Sequence, residues 1–257
     1  MILEATGLTK LYGEFCALDG VSLGVAAGEF VSIVGPNGAG KSTLINILTG
    51  VTRPSAGNVR FKGRDVGGGG PVRLARLGVA RSFQLVQILP DLTVLETLQA
   101  AVVARLGRGR RLFSSLARDR EVQEGALEVA ELFGLGDERH VPARQLPQGD
   151  KKLLDVASAF ALKPEIILLD EPTSGVSTAD KTAIMDTLVA ASKRVGLKAI
   201  VQVEHDMDIV FAYSDRIIAL HQGKVLANAV PAAILADQRV MDTVVGRRPG
   251  TSRASAC

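Results

Sequence analysis

Eight consecutive residues, Gly35, Pro36, Asn37, Gly38, Ala39, Gly40, Lys41 and Ser42, fit the pattern G-x-x-x-x-G-K-[ST], and Thr43 follows them directly. The residues just before, Phe30, Val31, Ser32, Ile33 and Val34, read as a strand, so the run is a strand, a glycine loop and a helix. Glycines let several backbone N–H groups converge on a polyphosphate, and the helix points its positive end at that charge. Lys41 can then reach the outer phosphates, and the Ser42 hydroxyl can ligate Mg²⁺. The chemistry implied is binding of a nucleoside triphosphate with magnesium. A second constellation lies far downstream, where Ile166, Ile167, Leu168 and Leu169 run into Asp170 and Glu171. Two carboxylates at the end of a buried strand are expensive without a cation nearby. Asp170 is expected to hold Mg²⁺, usually through water, and Glu171 to polarise the water that attacks the γ-phosphate.

The elements that must position these groups follow from the rest of the chain. Its 257 residues, 47% apolar and 22% charged, suffice for one large or two modest domains with a well-buried core. Apolar runs such as 166–169 and 217–220 are far shorter than the ~20 residues of a membrane-spanning helix. The N-terminus enters an alternating strand pattern without a basic flank, so no secretory signal is expected there. Cys16 and Cys257 lack metal-ligand spacing and suit a reducing compartment. A net charge of +3 is too small to argue for nucleic acid, which is not expected as a partner. The densest basic cluster, Arg105, Arg108, Arg110 and Arg111, reads as a solvated loop or helix end that would also suit an anionic membrane surface.

β segments are expected up to about residue 34, then a helix over 41–49, a β segment near 58–62 and a helix over 71–77. A strand over 79–82 leads into Gln84. From Thr93 the pattern turns helical: Thr93 and Glu96 match a capping box, and Val94, Leu98 and Ala101 recur at helical spacing. Another helix is expected over about 118–133, with Val122, Leu127 and Val129 among its apolar positions. Residues 85–148 therefore read as an all-helical insert within an α/β core covering 1–84 and 149–249. Beyond the insert, a helix is expected over 149–162, a strand over 166–169 and a helix over 178–195 with Ile184, Leu188, Ala191 and Val195 on one face. A strand over 199–203, a short helix from Met207 and β segments over 216–220 and 224–228 complete the core. Alternating strands and helices imply a mainly parallel sheet. The small, polar residues 250–257 are expected to be disordered.

With these motifs in this order, the chain resembles the ATP-binding cassette (ABC) family from about residue 3 to 246. The resemblance implies a P-loop NTPase cassette of α/β class with a mainly parallel core sheet, an antiparallel β subdomain and an all-helical insert. It makes Tyr12 the aromatic that stacks on adenine; without the resemblance, a strand-edge aromatic packing on the core is the better reading of Tyr12. It makes Gln84 the residue that contacts the metal and the attacking water and links to the helical insert. It makes His205, flanked by Glu204 and Asp206, the group that bonds the γ-phosphate. By resemblance, Leu146, Pro147, Gln148 and Gly149 form the loop that closes over the ATP of a second subunit. ATP and Mg²⁺ are the implied cofactors, with Ser42, Gln84 and Asp170 around the metal.

Two departures from the family pattern stand out. The family's Leu-Ser-Gly-Gly-Gln here reads Leu146, Pro147, Gln148, Gly149, Asp150, and the missing serine hydroxyl should cost about 1.5–3 kcal/mol if nothing replaces it. What remains is a helix N-terminus with Gly149 able to approach closely, so closure is expected to survive, weakened. The family's Ser-(Ala/Gly)-Leu-Asp here reads Ser174, Gly175, Val176, Ser177, and Ser177 before Asp180 has the spacing of a helix N-cap.

Within the family, Ala80, Arg81, Ser82, Phe83 and Gln84, the segment 92–96, and Val203, Glu204, His205, Asp206, Met207 and Asp208 are similar to the ATPase subunits of branched-chain amino acid importers and of the closely similar urea importers. That resemblance implies a separate membrane permease docking on the helical insert, a second ATPase subunit, a solute-binding protein acting indirectly, and a place at the cytoplasmic face of the inner membrane. Rival readings are a soluble cassette protein acting on nucleic acid or ribosomes and a regulatory subunit with weak hydrolysis. One cassette with a modest insert argues against the first, and Lys41, Asp170, Glu171 and His205 argue against the second. A GTPase fits poorly, because no N-K-x-D motif is present.

Overall fold

A computed structural model describes residues 1–82, 89–109 and 119–245. The chain opens with strands β1 (Leu3–Tyr12), β2 (Phe15–Val25) and β3 (Glu29–Val34), followed by helix α1 (Lys41–Leu48). Strands β4 (Ala56–Phe61) and β5 (Arg64–Asp65), helix α2 (Pro71–Leu77) and strand β6 (Val79–Arg81) come next. Helices α3 (Val94–Arg105), α4 (Arg120–Leu132) and α5 (Gln148–Ala161) follow, with a short 3₁₀ turn, Ala143–Gln145, between the last two. The remainder alternates: β7 (Ile166–Asp170), α6 (Thr178–Val195), β8 (Ala199–Val203), α7 (Met207–Tyr213), β9 (Arg216–His221), β10 (Lys224–Ala229), α8 (Pro231–Ala236) and α9 (Gln238–Val244).

Two sheets result. The smaller is antiparallel, in the order β2-β1-β4-β5, and the larger runs β10-β9-β3-β8-β7-β6. Strands β9, β3, β8, β7 and β6 of the larger sheet are parallel, and β10 adds an antiparallel edge through a hairpin. This is the α/β cassette architecture implied by the sequence, with its helical segment between β6 and β7.

Period-two alternation explains how one strand serves two cores. On β7, Ile166 and Leu168 point into the apolar cluster shared with α1 and the antiparallel sheet, whereas Ile167 and Leu169 point into the cluster formed with α3, α4, α5 and α6. Burial on both faces is why the strand reads as an unbroken apolar run. Leu44, Ile45 and Leu48 of α1 share their cluster with Leu8, Val21 and Val25 of the antiparallel sheet, which ties the phosphate-loop helix to both sheets. A third cluster, with Val210, Ile234 and Val240 over Ile217 and Ala219, is built by α7, α8 and α9. The last two helices were not foreseen from the sequence; each is short, and both start at small breaks, Pro231 and the N-cap Asp237.

Local chemistry accounts for most helix bounds. Thr93 caps α3 in a complete capping box: its Oγ1 accepts from Glu96 N at 3.2 Å, and Glu96 Oε2 accepts from Thr93 N at 2.8 Å. Ser177 caps α6 by accepting from Asp180 N at 3.2 Å, and Gly196 ends that helix in the left-handed region. Two apolar positions turn outward against expectation. Val195 is exposed in the last turn of α6, where Ile184, Met185, Leu188, Ala191 and Ser192 form the buried stripe. Leu127 of α4 faces solvent, and the buried stripe is Val122, Ala126, Val129 and Ala130. Arg105 ends α3, and Arg108 pairs with Asp119 and Glu121; Arg110 and Arg111 lie outside the described residues, as do Gln84 and the tail 250–257. No helix among the described residues is long and apolar enough to cross a membrane.

Candidate active site

The phosphate loop joins the C-terminal end of β3 to the N-terminus of α1, and its glycines are where crowding forbids a side chain. A Cβ on Gly35 would lie 2.2 Å from the Leu220 carbonyl oxygen, and one on Gly40 (φ 102°) would lie 2.6 Å from the Ala17 oxygen. The loop is fastened from outside as well, since Gly223 N donates to Ala39 O at 3.1 Å and Asp19 N to Gly223 O at 2.9 Å. Those two bonds link the phosphate loop, the β9–β10 hairpin and β2. Lys41 is buried and folded over its own loop, its Nζ donating to Gly35 O at 2.6 Å and Pro36 O at 3.0 Å. Burial pushes the Lys41 ammonium below the usual lysine range, and the nearby Glu171 and Asp170 carboxylates oppose that shift.

A cavity of about 270 Å³ opens over this loop, walled by Phe15 and Ala17, by Asn37, Gly38, Ala39, Gly40, Lys41, Ser42 and Thr43, and by Glu171 and His205. Residues from β2, the phosphate loop, the end of β7 and the end of β8 thus meet at the C-terminal edge of the parallel strands, where open α/β sheets bind ligands. A roomier cleft of about 480 Å³ lies at the other end of the same strands, between Phe30, Ala199, Val189 and Tyr213, but no phosphate loop opens onto it.

Glu171 is the strained member of the site. Its φ of 52° places a non-glycine residue in the left-handed region, which costs about 1–3 kcal/mol and persists only where surroundings hold it. Its N–H donates to Val203 O at 2.9 Å, and its carbonyl accepts from Ser174 N at 3.1 Å and from Lys152 Nζ at 3.3 Å. Its Oε1 sits 2.7 Å from His205 Nε2. The carboxylate and the histidine that the sequence singles out, Glu171 and His205, are therefore in contact within one chain.

Two buried charges hold this arrangement, and motif spacing alone reveals neither. Glu204 accepts from Thr173 Oγ1 at 2.6 Å, Thr173 N at 3.1 Å and His205 N at 3.0 Å, so it ties the turn after Glu171 to the residue that carries the imidazole. Lys152, on α5, donates to Ser174 Oγ at 3.1 Å as well as to Glu171 O. Burial lowers its ammonium, against Asp155, Glu171, Glu204 and Asp170 nearby.

Other expected residues fall apart from this cluster. Tyr12 is not on the cavity wall; its ring lies under Lys10 Nζ, 5.0 Å from the centroid, at the tip of the β1–β2 hairpin. Directly across the ladder is Phe15, 63% exposed, which does line the cavity and was missed because only the hairpin register brings it there. Leu146 is buried, while Pro147 and Gln148 are exposed at the start of α5 and take no part in the cavity. Asp170 is buried beside the site, with its Oδ2 accepting from Arg81 Nη2 at 2.8 Å.

A family model described as ABC transporter matches residues 18–174, more than half of the chain. The chain belongs to the ABC transporter family. It is a nucleotide-binding, ATP-hydrolysing cassette of that family. It is 36% identical over 252 residues to the high-affinity branched-chain amino acid transport ATP-binding protein LivG of Salmonella typhimurium, a match that spans 95% of this chain and 98% of that protein. It is 34% identical over 250 residues to the high-affinity branched-chain amino acid transport ATP-binding protein BraF of Pseudomonas aeruginosa, with the same shares covered. Among solved structures, the ADP conformation of an ATP-binding cassette of an ABC transporter superposes with a TM-score of 0.84 at 31% identity, covering 96% of this chain and 99% of that one. A dimeric post-hydrolysis state of another cassette, bound to ADP and Pi, gives 0.75 at 29% identity, covering 89% of this chain and 98% of that one.

Proposed function

We propose that this cassette is the ATP-hydrolysing subunit of an importer for branched-chain amino acids, working at the cytoplasmic face of the membrane through a separate permease, with a solute-binding protein acting upstream. The observation that carries this reading is that the phosphate loop, Glu171 and His205 meet in one cavity, in a chain similar along nearly its whole length to relatives named for that transport.

The donor set fits Mg²⁺. Ser42 offers a hydroxyl at the cavity and Asp170 a buried carboxylate beside it, and no cluster of three or more His, Cys, Asp or Glu side chains forms a dedicated cage among the described residues. Few protein oxygens completed by phosphates and water is the ordinary composition of a nucleotide-bound magnesium site. Bound there by Ser42, Asp170 and Gln84, the metal would neutralise charge on the phosphates.

The chain's own residues do the rest. The backbone of the phosphate loop cradles the β- and γ-phosphates, and Lys41 exchanges its two carbonyl partners for phosphate oxygens. Phe15 or Tyr12, facing each other at the hairpin tip, offers a ring to the adenine. Glu171 takes the proton of the attacking water, and His205 releases Glu171 Oε1 to bond the γ-phosphate. The loop of Leu146, Pro147, Gln148 and Gly149, exposed at Pro147 and Gln148, closes over the nucleotide of a second cassette subunit, identical or homologous. Closure buries ATP between subunits, so binding favours one permease state and hydrolysis restores the other.

The test is reconstitution with the permease in vesicles. ATP-driven uptake of leucine, isoleucine or valine that disappears with Glu171→Gln supports the reading. Uptake of urea in place of those amino acids refutes the substrate class, and failure to associate with any permease refutes the importer role.

A further inference from the structure

The buried ion pair between Arg81 and Asp170 has no counterpart among the motifs that mark the active site. Its side chains are 12% and 4% exposed, and the guanidinium is used as a fork. Nη2 donates to Asp170 Oδ2 at 2.8 Å; Nη1 donates to Asn46 Oδ1 at 2.6 Å and lies 3.5 Å from Thr49 Oγ1. Asn46 belongs to α1, the helix that starts at Lys41, and Thr49 is its C-cap. One arginine thus joins the ends of β6 and β7 to the helix of the phosphate loop. Asp170 Oδ1, by contrast, accepts no hydrogen bond among the described residues.

We propose that Arg81 is a positioning residue that keeps Asp170 half-occupied and so makes divalent-cation binding depend on bound nucleotide. This rests on the reading that Asp170 is a metal carboxylate. The reasoning is electrostatic. In the empty cassette a cation approaching Asp170 meets a carboxylate already neutralised by a guanidinium that cannot lose its proton, with the Lys41 ammonium also in its field. A triphosphate brings enough negative charge to outweigh both cations, and Asp170 Oδ1 can then serve the metal while Oδ2 stays with Arg81. The fork also fixes the direction of the carboxylate, which a flexible lysine ammonium with a single reach would not do. A purely structural strut would change the stability of the fold and leave the order of metal and nucleotide binding untouched.

The experiment is titration of the full-length, nucleotide-free chain with Mn²⁺, read from the loss of the free-ion electron paramagnetic resonance signal, then repeated with ADP present. The wild type should bind Mn²⁺ far more weakly without nucleotide than with it. Arg81→Met should tighten nucleotide-free binding by at least about tenfold, because a fixed cation has left the site. Adding Asp170→Asn to that variant should abolish the gain. Arg81→Lys, which keeps a buried cation, should show a smaller gain and serves as the test if the methionine variant does not fold. Equal or weaker nucleotide-free binding in both Arg81 variants overturns the proposal, as does a wild type that binds Mn²⁺ equally tightly with and without ADP. If Asp170→Asn leaves Mn²⁺ binding in the presence of ADP unchanged, the metal role of Asp170 itself falls, and the proposal with it.

Discussion

The two ends of α5 and β7 belong to halves of the site built in opposite ways. Around β7, the phosphate loop, Glu171 and His205 are packed, cross-linked and locally strained, with Glu204 and Lys152 buried to hold them. At the start of α5, Pro147 and Gln148 face solvent, the N-cap makes no side-chain bond, and the residues depart from the family pattern. The contrast fits the proposed reading, in which the groups that act on the γ-phosphate are preassembled by one chain and the closing groups act on the nucleotide of another subunit.

The sharpest way to break this contrast is to remove the base. Glu171→Gln should retain ATP binding and lower turnover by about 10²–10⁴-fold, measured by steady-state hydrolysis beside nucleotide binding. On the other half, Gly149→Glu should leave ATP binding by the monomer intact and lower turnover by about 10²-fold, because a carboxylate would face the phosphates of the second subunit. Equal loss of monomer binding in that variant would mean that the loop acts within its own chain.

Glu204→Ala strips a buried acceptor from three donors and should cost about 2–4 kcal/mol of stability by denaturant unfolding, with turnover falling as His205 and Thr173 lose their anchor. Pro147→Ser works in the other direction. Restoring a hydroxyl that can bond a phosphate should raise turnover by roughly 3- to 10-fold, and no gain would show that the α5 N-terminus already suffices.

The smallest effect is expected far from both halves. Lys198 and Lys62 hold the Glu165 carboxyl below its usual range. A carboxylate lowered in the fold contributes stability that is present above its unfolded value, near pH 4.3, and is lost as pH falls through the folded value. Glu165→Ala should therefore cost up to about 1 kcal/mol at pH 7, the surface setting screening the pair. The difference from wild type should vanish in unfolding measured in the acid range below that value.

What could be read from the chain alone follows the same division. Local rules sufficed where one signal controls an element: α6 begins at its Ser177 cap and ends at Gly196, α2 spans 71–77 from its N1 proline, and α3 starts at its capping box. The phosphate loop, Asp170 and Glu171 could be picked out because each stands at a strand end, and His205 came with the family resemblance; the loop, Glu171 and His205 do line one cavity. Phe15, Glu204, Lys152 and Arg81 were not, because their roles arise from contacts made across β-ladders, between loops or between elements distant in sequence. Val195 and Leu127 show the same limit from the apolar side: helical spacing gives a stripe, but only packing sets where the stripe stops.

The most direct test of the division is turnover per chain as a function of protein concentration, for the wild type, Glu171→Gln and Gly149→Glu in the same buffer with Mg²⁺ and ATP. Two half-sites on separate subunits predict that turnover per chain climbs with concentration in the wild type and stays near zero in both variants. Turnover per chain that is flat with concentration and survives Gly149→Glu would mean that a single chain hydrolyses ATP by itself.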